Sequence, residues 1–220
     1  MTAPRQLHFT LKSDTTFGRG EGVPGEVDAE VQHDALGLPY YGGRSLKGIL
    51  AQECADLLYA LNQQKADRWW QAAARLFGEP GSTGDTTGTL IVGDAQVAAG
   101  VRRAVASAKL SPKAVLASLT TVRRQTANDV KSGAPQEQTL RAMRVVLRGT
   151  TFTAPLQFRT DAGDDELALL AACVVAARRL GMGRNRGRGE VVMWMTDEQH
   201  NALTADFERF VNQIVGVQPA

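Results

Sequence analysis

The longest apolar run in the chain, residues 167–177, lies between the acids Asp164, Asp165 and Glu166 and the pair Arg178-Arg179. It is far shorter than the roughly 20 residues a bilayer-spanning helix needs. Acids before it and arginines after it complement a helix dipole, so the spacing predicts a helix over residues 164–180. Around it, Leu7, Phe9 and Leu11 alternate with polar residues as in a strand. Residues 89–97, 143–148, 151–159 and 191–195 also read as strands. Leu46, Ile49, Leu50, Leu57 and Leu61 share a helical face behind Ser45, and Trp69, Ala73, Leu76 and Phe77 form a second stripe. Asp197 is placed to cap a terminal helix carrying Leu203, Phe207, Phe210 and Ile214. The order strand, helix, strands, helix, strand predicts an α+β sandwich, with helices on one face of an antiparallel sheet.

At 220 residues, 43% of them hydrophobic, the chain can bury a core as one large domain, residues 1–220. Residues 109–138 are basic and poor in large apolar side chains, which predicts an inserted arm rather than core. Residues 1–6 lack the apolar core of a signal peptide. The two cysteines, Cys54 and Cys173, sit far apart in apolar helical patterns, which argues against a disulfide framework or zinc site and for a reducing cytoplasm.

The net charge of +2 hides a segregation. From Arg102 to Arg148 there are ten Lys/Arg against two acids; from Arg178 to Glu190, five Arg against one. From Asp14 to Asp34 there are six acids against one Arg. Such a split implies an anionic partner or simply solvated faces.

Three segments can carry chemistry. In GMGRNRGRGE, residues 181–190, glycines admit close approach and Arg184, Arg186 and Arg188 supply charge, as a phosphodiester backbone requires; the alternative is a solvated helix-to-strand turn, which needs fewer glycines. A dinucleotide fingerprint is excluded, because Arg186 occupies the third glycine's place and a helix precedes the loop. In LPYYGGRSLKG, residues 38–48, a helix start bearing Arg44, Ser45 and Lys47 can bind an anion, or Ser45 can simply be a cap. In the glycine-rich loop of residues 17–43, Glu26, Asp28 and Glu30 alternate and Asp34 follows; such carboxylates can hold a divalent cation, act on a hydroxyl, or face solvent. His8, His33 and His200 show no metal or triad spacing.

Taken in order, four stretches resemble the RAMP superfamily of CRISPR-associated proteins, and within it the backbone subunit of type III effector complexes. LPYYGGRSLKGIL resembles the family's Pro-Gly-Ser-Leu-Lys-Gly signature, with Gly42-Gly43-Arg44 in place of its usual residues. Residues 76–97 resemble its Leu-Phe-Gly…Gly-x-Leu…Asp-Ala segment. Residues 121–158 resemble its arm region followed by a strand, and residues 180–191 its C-terminal Gly-Arg loop. The resemblance implies an RRM-like, ferredoxin-like core, which need not show the aromatic platform of ordinary RRMs; no such motif is visible in the sequence. It implies binding to guide RNA (crRNA) through Arg44, Ser45, Lys47, Arg123, Arg124, Arg184, Arg186 and Arg188. It also implies target RNA as a partner, with further copies of the chain or related subunits, a large polymerase-like subunit and a small subunit; no membrane is implied. Asp28 and Asp34 carry the family's six-residue acid spacing, which makes Asp28 the expected catalytic residue for target-RNA cleavage, assisted or not by Mg2+ or Mn2+. Glu30 stands where the family has Pro, and His33 where it has Arg. A binding-only scaffold keeps the assembly and drops the cleavage. A stand-alone RNA-processing nuclease would need a histidine or tyrosine near the acids, for which only His33 qualifies.

Overall fold

The computed structural model describes residues 2–61, 63–79, 87–126 and 139–215. Alternation in β1 (Arg5–Leu11) buries Leu7, Phe9 and Leu11 completely or nearly so. Around it an antiparallel sheet is built from β2 (Tyr40–Tyr41), β3 (Leu90–Val92), β4 (Ala95–Val97), β7 (Thr151–Phe158) and β8 (Val191–Thr196). The strand order is β2-β4-β7-β1-β8, with β3 also pairing β7. In register, His8 faces Thr153 on one side and Trp194 on the other.

One face of this sheet is covered. Helices α1 (Gly43–Ala60) and α2 (Gln63–Phe77) pack with α5 (Asp164–Ala176), and α6 (Thr204–Val215) packs on α5. The 167–177 run explains this centre: α5 is apolar on every side and touches helices as well as β8. Glu166, 3% exposed, accepts from the Gly163 amide at 3.0 Å and is ion-paired to Arg75 at 2.9 Å. The buried Cys54 and Cys173 are free thiols that meet between α1 and α5. The Cys173 thiol's hydrogen bond with Cys54, reinforced by burial, pushes it well above the ordinary thiol range. No helix among the described residues is long and apolar enough to cross a membrane.

Several boundaries differ from the sequence reading. α5 ends at Ala176 rather than at residue 180, because the chain turns extended and the Arg178 carbonyl accepts from the Val191 amide at 2.9 Å. Residues 89–97 make two short strands, β3 and β4, with Gly93 packed on Pro155 between them. α1 starts at Gly43, and Ser45 is inside it; Asp94 does the capping, accepting from the Gly43 amide at 2.8 Å. Asp197 closes a turn with Asn201 and does not cap α6. The segment 99–108 is a helix, α3 (Ala99–Ala108), without a buried residue.

The predicted arm, residues 109–138, opens with α4 (Pro112–Leu119), capped by Ser111 and started by Pro112 at the position where a missing N–H costs nothing. β5 (Thr120–Gln125) follows and pairs with β6 (Arg141–Val146) as a two-stranded ribbon. Within residues 109–126 only Val115 and Thr120 are buried; residues 127–138 lie outside the described residues.

Leu169, fully buried in α5, tests the centrality of this helix. Leu169→Ala should lower the unfolding free energy by about 2–5 kcal/mol, measured by urea denaturation, with the cleft residues below left in place.

Candidate nucleic-acid interface

The Gly-Arg segment is a built hairpin. Its ends pair, with the Leu180 amide donating to Gly189 O at 2.8 Å. It is sewn to the chain after β1: the Met182 amide donates to Thr16 O at 2.9 Å and the Thr15 hydroxyl to Leu180 O at 3.0 Å. At Gly189, φ is +73° and an added Cβ would lie 1.9 Å from Leu180 O, so only glycine fits. At the tip, Gly183 and Gly187 bracket a single 3-10 turn of Arg184–Arg186. Arg184 and Arg186 are exposed and Arg188 half-buried.

Two clefts flank this hairpin. One, of about 500 Å3, lies between it and the β5–β6 ribbon, where Gln125, Arg141 and Met143 face Arg184, Arg186 and Arg188. The other, of about 610 Å3, places Lys12, Arg123, Arg148 and Arg188 around Asp14. Arg188 belongs to both, and its Nη1 lies 3.4 Å from the Met143 sulfur. Arg123 is held by Asp14 at 2.7 Å. Burial pushes the Asp14 carboxyl up, but hydrogen bonds from Arg123 and the Arg148 amide, with the charges of both arginines, bring it below its ordinary value. Arg124 is exposed on the same ribbon.

The acidic loop packs against the ribbon root. The Asp28 amide donates to Ala142 O at 2.7 Å, and the Asp28 Oδ2 accepts from the Ala142 amide at 2.6 Å. Ala142 lies between Arg141 and Met143, so exposed Asp28 stands beside the smaller cleft. Glu30 behaves differently: it is 3% exposed, and the Arg144 Nε lies 2.8 Å and 3.0 Å from its two oxygens. Arg144 also reaches Glu26 at 3.5 Å. Asp34 is structural, accepting from the Leu36 and Leu38 amides and pairing with Arg102 of α3 at 2.6 Å. His33 is turned to the Asp34 carbonyl at 3.2 Å. With Glu30 committed to Arg144, the acids do not converge, and no group of three metal-binding side chains gathers among the described residues. This donor set does not make a cation site.

The start of α1 reaches the same region through Tyr41, which hydrogen-bonds the Gly181 backbone. Burial raises the Tyr41 phenol's pKa, opposed by that bond and by the charge of Arg184. Arg44 and Ser45 are exposed on the first turn. Lys47 is half-buried: its ammonium donates one hydrogen bond to Leu90 O at 2.8 Å, and burial lowers its pKa. Sequence reasoning missed Lys12, Asp14, Arg141, Arg144 and Arg148 as parts of this region. The basic run from Arg102 to Arg148 was the available signal, but only strand pairing tells which of its members face the clefts.

Fold and site thus define an α+β sandwich whose arginine-bearing hairpin, ribbon root and acidic loop meet at two basic clefts. A family model for the RAMP superfamily matches residues 8–192, and the chain belongs to that superfamily. Comparison with curated protein sequences finds no match. Among solved structures, a chain of a type III-B Cmr-beta complex in its apo state aligns with a TM-score of 0.63 at 15% identity, over 89% of this chain and 98% of that one. A chain of type III-B Cmr-beta bound to cognate target RNA aligns with a TM-score of 0.63 at 15% identity, over 87% and 96% respectively.

Two outcomes follow from the ion pairs. Arg144→Ala, which strands Glu30 in the interior, should cost about 3–5 kcal/mol, and Glu30→Gln should cost less, as read by chemical denaturation. Because the native Asp14 pKa is depressed, its stabilising contribution is complete above the ordinary aspartate range and is lost as pH falls through the lowered native value. Asp14→Asn should therefore flatten the decline in denaturation midpoint on acidification relative to the parent protein.

Proposed function

We propose that this protein is a guide-RNA-binding backbone subunit of a type III CRISPR effector complex that cleaves target RNA at Asp28. The observation that carries the reading is the convergence at one cleft: Arg188 touches Met143, and Asp28 is hydrogen-bonded to the neighbouring Ala142. Superfamily membership and the likeness to chains of type III-B complexes, one of them bound to target RNA, support it. The sequence β1, α1, β4, β7, α5, β8, with strand order β4-β7-β1-β8, supports reading the core as RRM-like. The ribbon of β5 and β6 would be the root of the arm spanning residues 109–138.

In this reading Arg184, Arg186 and Arg188 follow the guide's phosphates, while the glycines keep side chains out of the way. Arg123 and Arg124 extend the track along the ribbon, and Arg44 and Ser45 along the start of α1. Lys47 serves mainly to hold α1 to β3. Asp28 takes the proton from a ribose 2′-hydroxyl of the target as its oxygen attacks the adjacent phosphorus. The 5′-oxygen leaves with a proton from water, giving a cyclic phosphate and a 5′-hydroxyl end. One Asp28 oxygen is bonded to the Ala142 amide, which fixes the carboxylate against the ribbon. No step is assigned to a metal, because the acids do not gather round one point; assay with and without Mg2+ or Mn2+ tests that choice. Other copies of the chain or related subunits, with large and small subunits, would complete the assembly, in the cytoplasm.

Guide binding should be insensitive to sequence and steeply salt-dependent, and changing Arg184, Arg186 and Arg188 together to Ala should reduce the slope of log K against log salt. In the assembled complex, Asp28→Ala should cut target cleavage by about 10²–10⁴-fold, the worth of a general base. Its affinity for target should be equal or slightly higher, since a negative charge near phosphate is removed. Asp34→Ala should act through stability instead. A wild-type complex that binds target without cutting it would leave the scaffold role alone standing.

A further inference from the structure

Among the described residues, the face of the sheet opposite the helices is half-buried to exposed at most of its positions, and its composition is unusual for a solvated surface. Outward positions on β1, β4, β7 and β8 carry no acid and no Lys or Arg. The chain holds 23 acids, so their absence from a whole exposed sheet face needs a reason. In their place stand hydroxyls and amides, such as Thr10, Thr151 and Gln6, around one aromatic pair.

That pair is His8 and Trp194, directly opposed across β1 and β8. Their rings stack with centroids 5.3 Å apart and planes 15° from parallel. His8 is clamped at both nitrogens, Nδ1 to the Thr153 hydroxyl at 3.0 Å and Nε2 to the Thr196 hydroxyl at 2.9 Å. Burial, helped by the charge of His200, lowers its pKa and so favours the neutral ring. His8 therefore buttresses the indole in a fixed orientation. β8 is an edge strand, and no strand described here lies beyond Trp194. Trp194 is 37% exposed and the next outward residue, Val192, 51%. A rigid, half-open indole of this kind is a stacking surface.

What should stack there follows from what adjoins it. By strand alternation Lys12 continues the row of His8 and Thr10, about 14 Å beyond His8 at ~3.4 Å per residue. Lys12 lines the larger basic cleft with Arg148 and Arg188. The uncharged sheet face thus runs into a cationic one; the one acid at the junction is exposed Glu190, which continues the row of Trp194 and Val192 and whose carbonyl accepts from the Lys12 amide at 2.7 Å. Base stacking on an aromatic ring with the backbone tracked by cations is how single-stranded RNA is held. A protein partner would find few apolar side chains here beyond Trp194, Val192 and Ile91.

We propose that the open sheet face is a second RNA-contact surface, on which Trp194, braced by His8, stacks a base of a single strand entering or leaving the Lys12–Arg188 cleft. It rests on the proposed function for RNA as the partner and for Arg188 as an RNA contact at the cleft.

The test uses the full chain and a fluorescein-labelled single-stranded oligouridylate, titrated at several salt concentrations. Trp194→Ala should weaken binding by about 5- to 100-fold, the range expected for losing one base–aromatic stack, with an unchanged salt slope. Trp194→Phe should restore most of the affinity. The triple arginine variant serves in parallel and should change the slope. Ultraviolet crosslinking followed by peptide mass spectrometry should place RNA on the peptide bearing Trp194; this readout is made on wild-type protein and is immune to folding defects. Wild-type affinity in Trp194→Ala together with no crosslink on β8 overturns the proposal, while a normal response of the arginine variant keeps the guide-binding reading. A Trp194→Ala variant that alters the oligomer's mass in sedimentation but leaves RNA affinity intact overturns it in favour of a subunit contact. If the wild-type chain binds no RNA, both readings fall.

Discussion

The buried ion pair between Glu30 and Arg144 is the contact on which the rest of the site depends. Glu30 is nearly inaccessible, and Arg144 meets it at 2.8 Å from β6. A lone carboxylate there would be costly, so the loop cannot lift from the ribbon without also exposing Arg144's charge. Backbone bonds run on both sides of the pair, from the Asp28 amide to Ala142 O and from the Arg144 amide to Ala29 O. The acidic loop and the ribbon root are in effect one piece. Asp28 is exposed but not loose: its position is set by a neighbour two residues away that is not exposed at all. A glycine-rich loop, which would otherwise lose much entropy on ordering, is given a fixed address next to the cleft.

The second organising constraint is sidedness. α5 is apolar all round and has to be enclosed, so the sheet, α1, α2 and α6 close over it. That enclosure uses one face of the sheet and leaves the other to water. It also puts the ends of β1 and β8 side by side, where the Gly-Arg hairpin grows out of the connection from α5 and is stitched to Thr15 and Thr16. The hairpin's rigidity is paid for locally by glycines at positive φ, and the arginines it carries do not need a helix or strand of their own.

How much of this was legible in the sequence depends on the range of the interaction. The alternation of Leu7, Phe9 and Leu11, the stripe of Trp69 and Leu76 and the apolar run of α5 are local patterns, and each marks an element that is there. α3 was invisible because Val101 and Val105 are its few large apolar residues and none of its positions is buried. α4 was hidden in a polar stretch, although Ser111 and Pro112 form a helix start that could have been read. Asp94 as the cap of α1, Arg144 as the partner of Glu30 and His8 as the partner of Trp194 join residues far apart in the chain, and no spacing rule reaches that far. The six-residue spacing of Asp28 and Asp34 was visible, but only the structure separates an exposed carboxylate on the ribbon from one that shapes a turn and holds α3.

The charge segregation gains a different meaning from these contacts. In the sequence, an acidic stretch and two basic ones imply an anionic partner or solvated faces. In the fold, a large part of the acidic stretch is neutralised by the basic one: Asp14 by Arg123, Glu30 and Glu26 by Arg144, and Asp34 by Arg102. These pairs hold the loop, the ribbon and α3 together and use up most of the charge they involve; of their cations only Arg123, more than half exposed, still lines the larger cleft. The attraction for an anion is therefore concentrated on the hairpin arginines and on Lys12 and Arg148 across the cleft, where the one acid, Asp14, is already engaged. A long polyanion gains most from cations whose counterions it can displace, and those are exposed ones. The internal pairs give the surface its shape, and the hairpin gives it its field. Loss of Arg144 and loss of Arg186 remove the same formal charge, yet the first strands a buried carboxylate and the second removes an exposed charge beside the cleft.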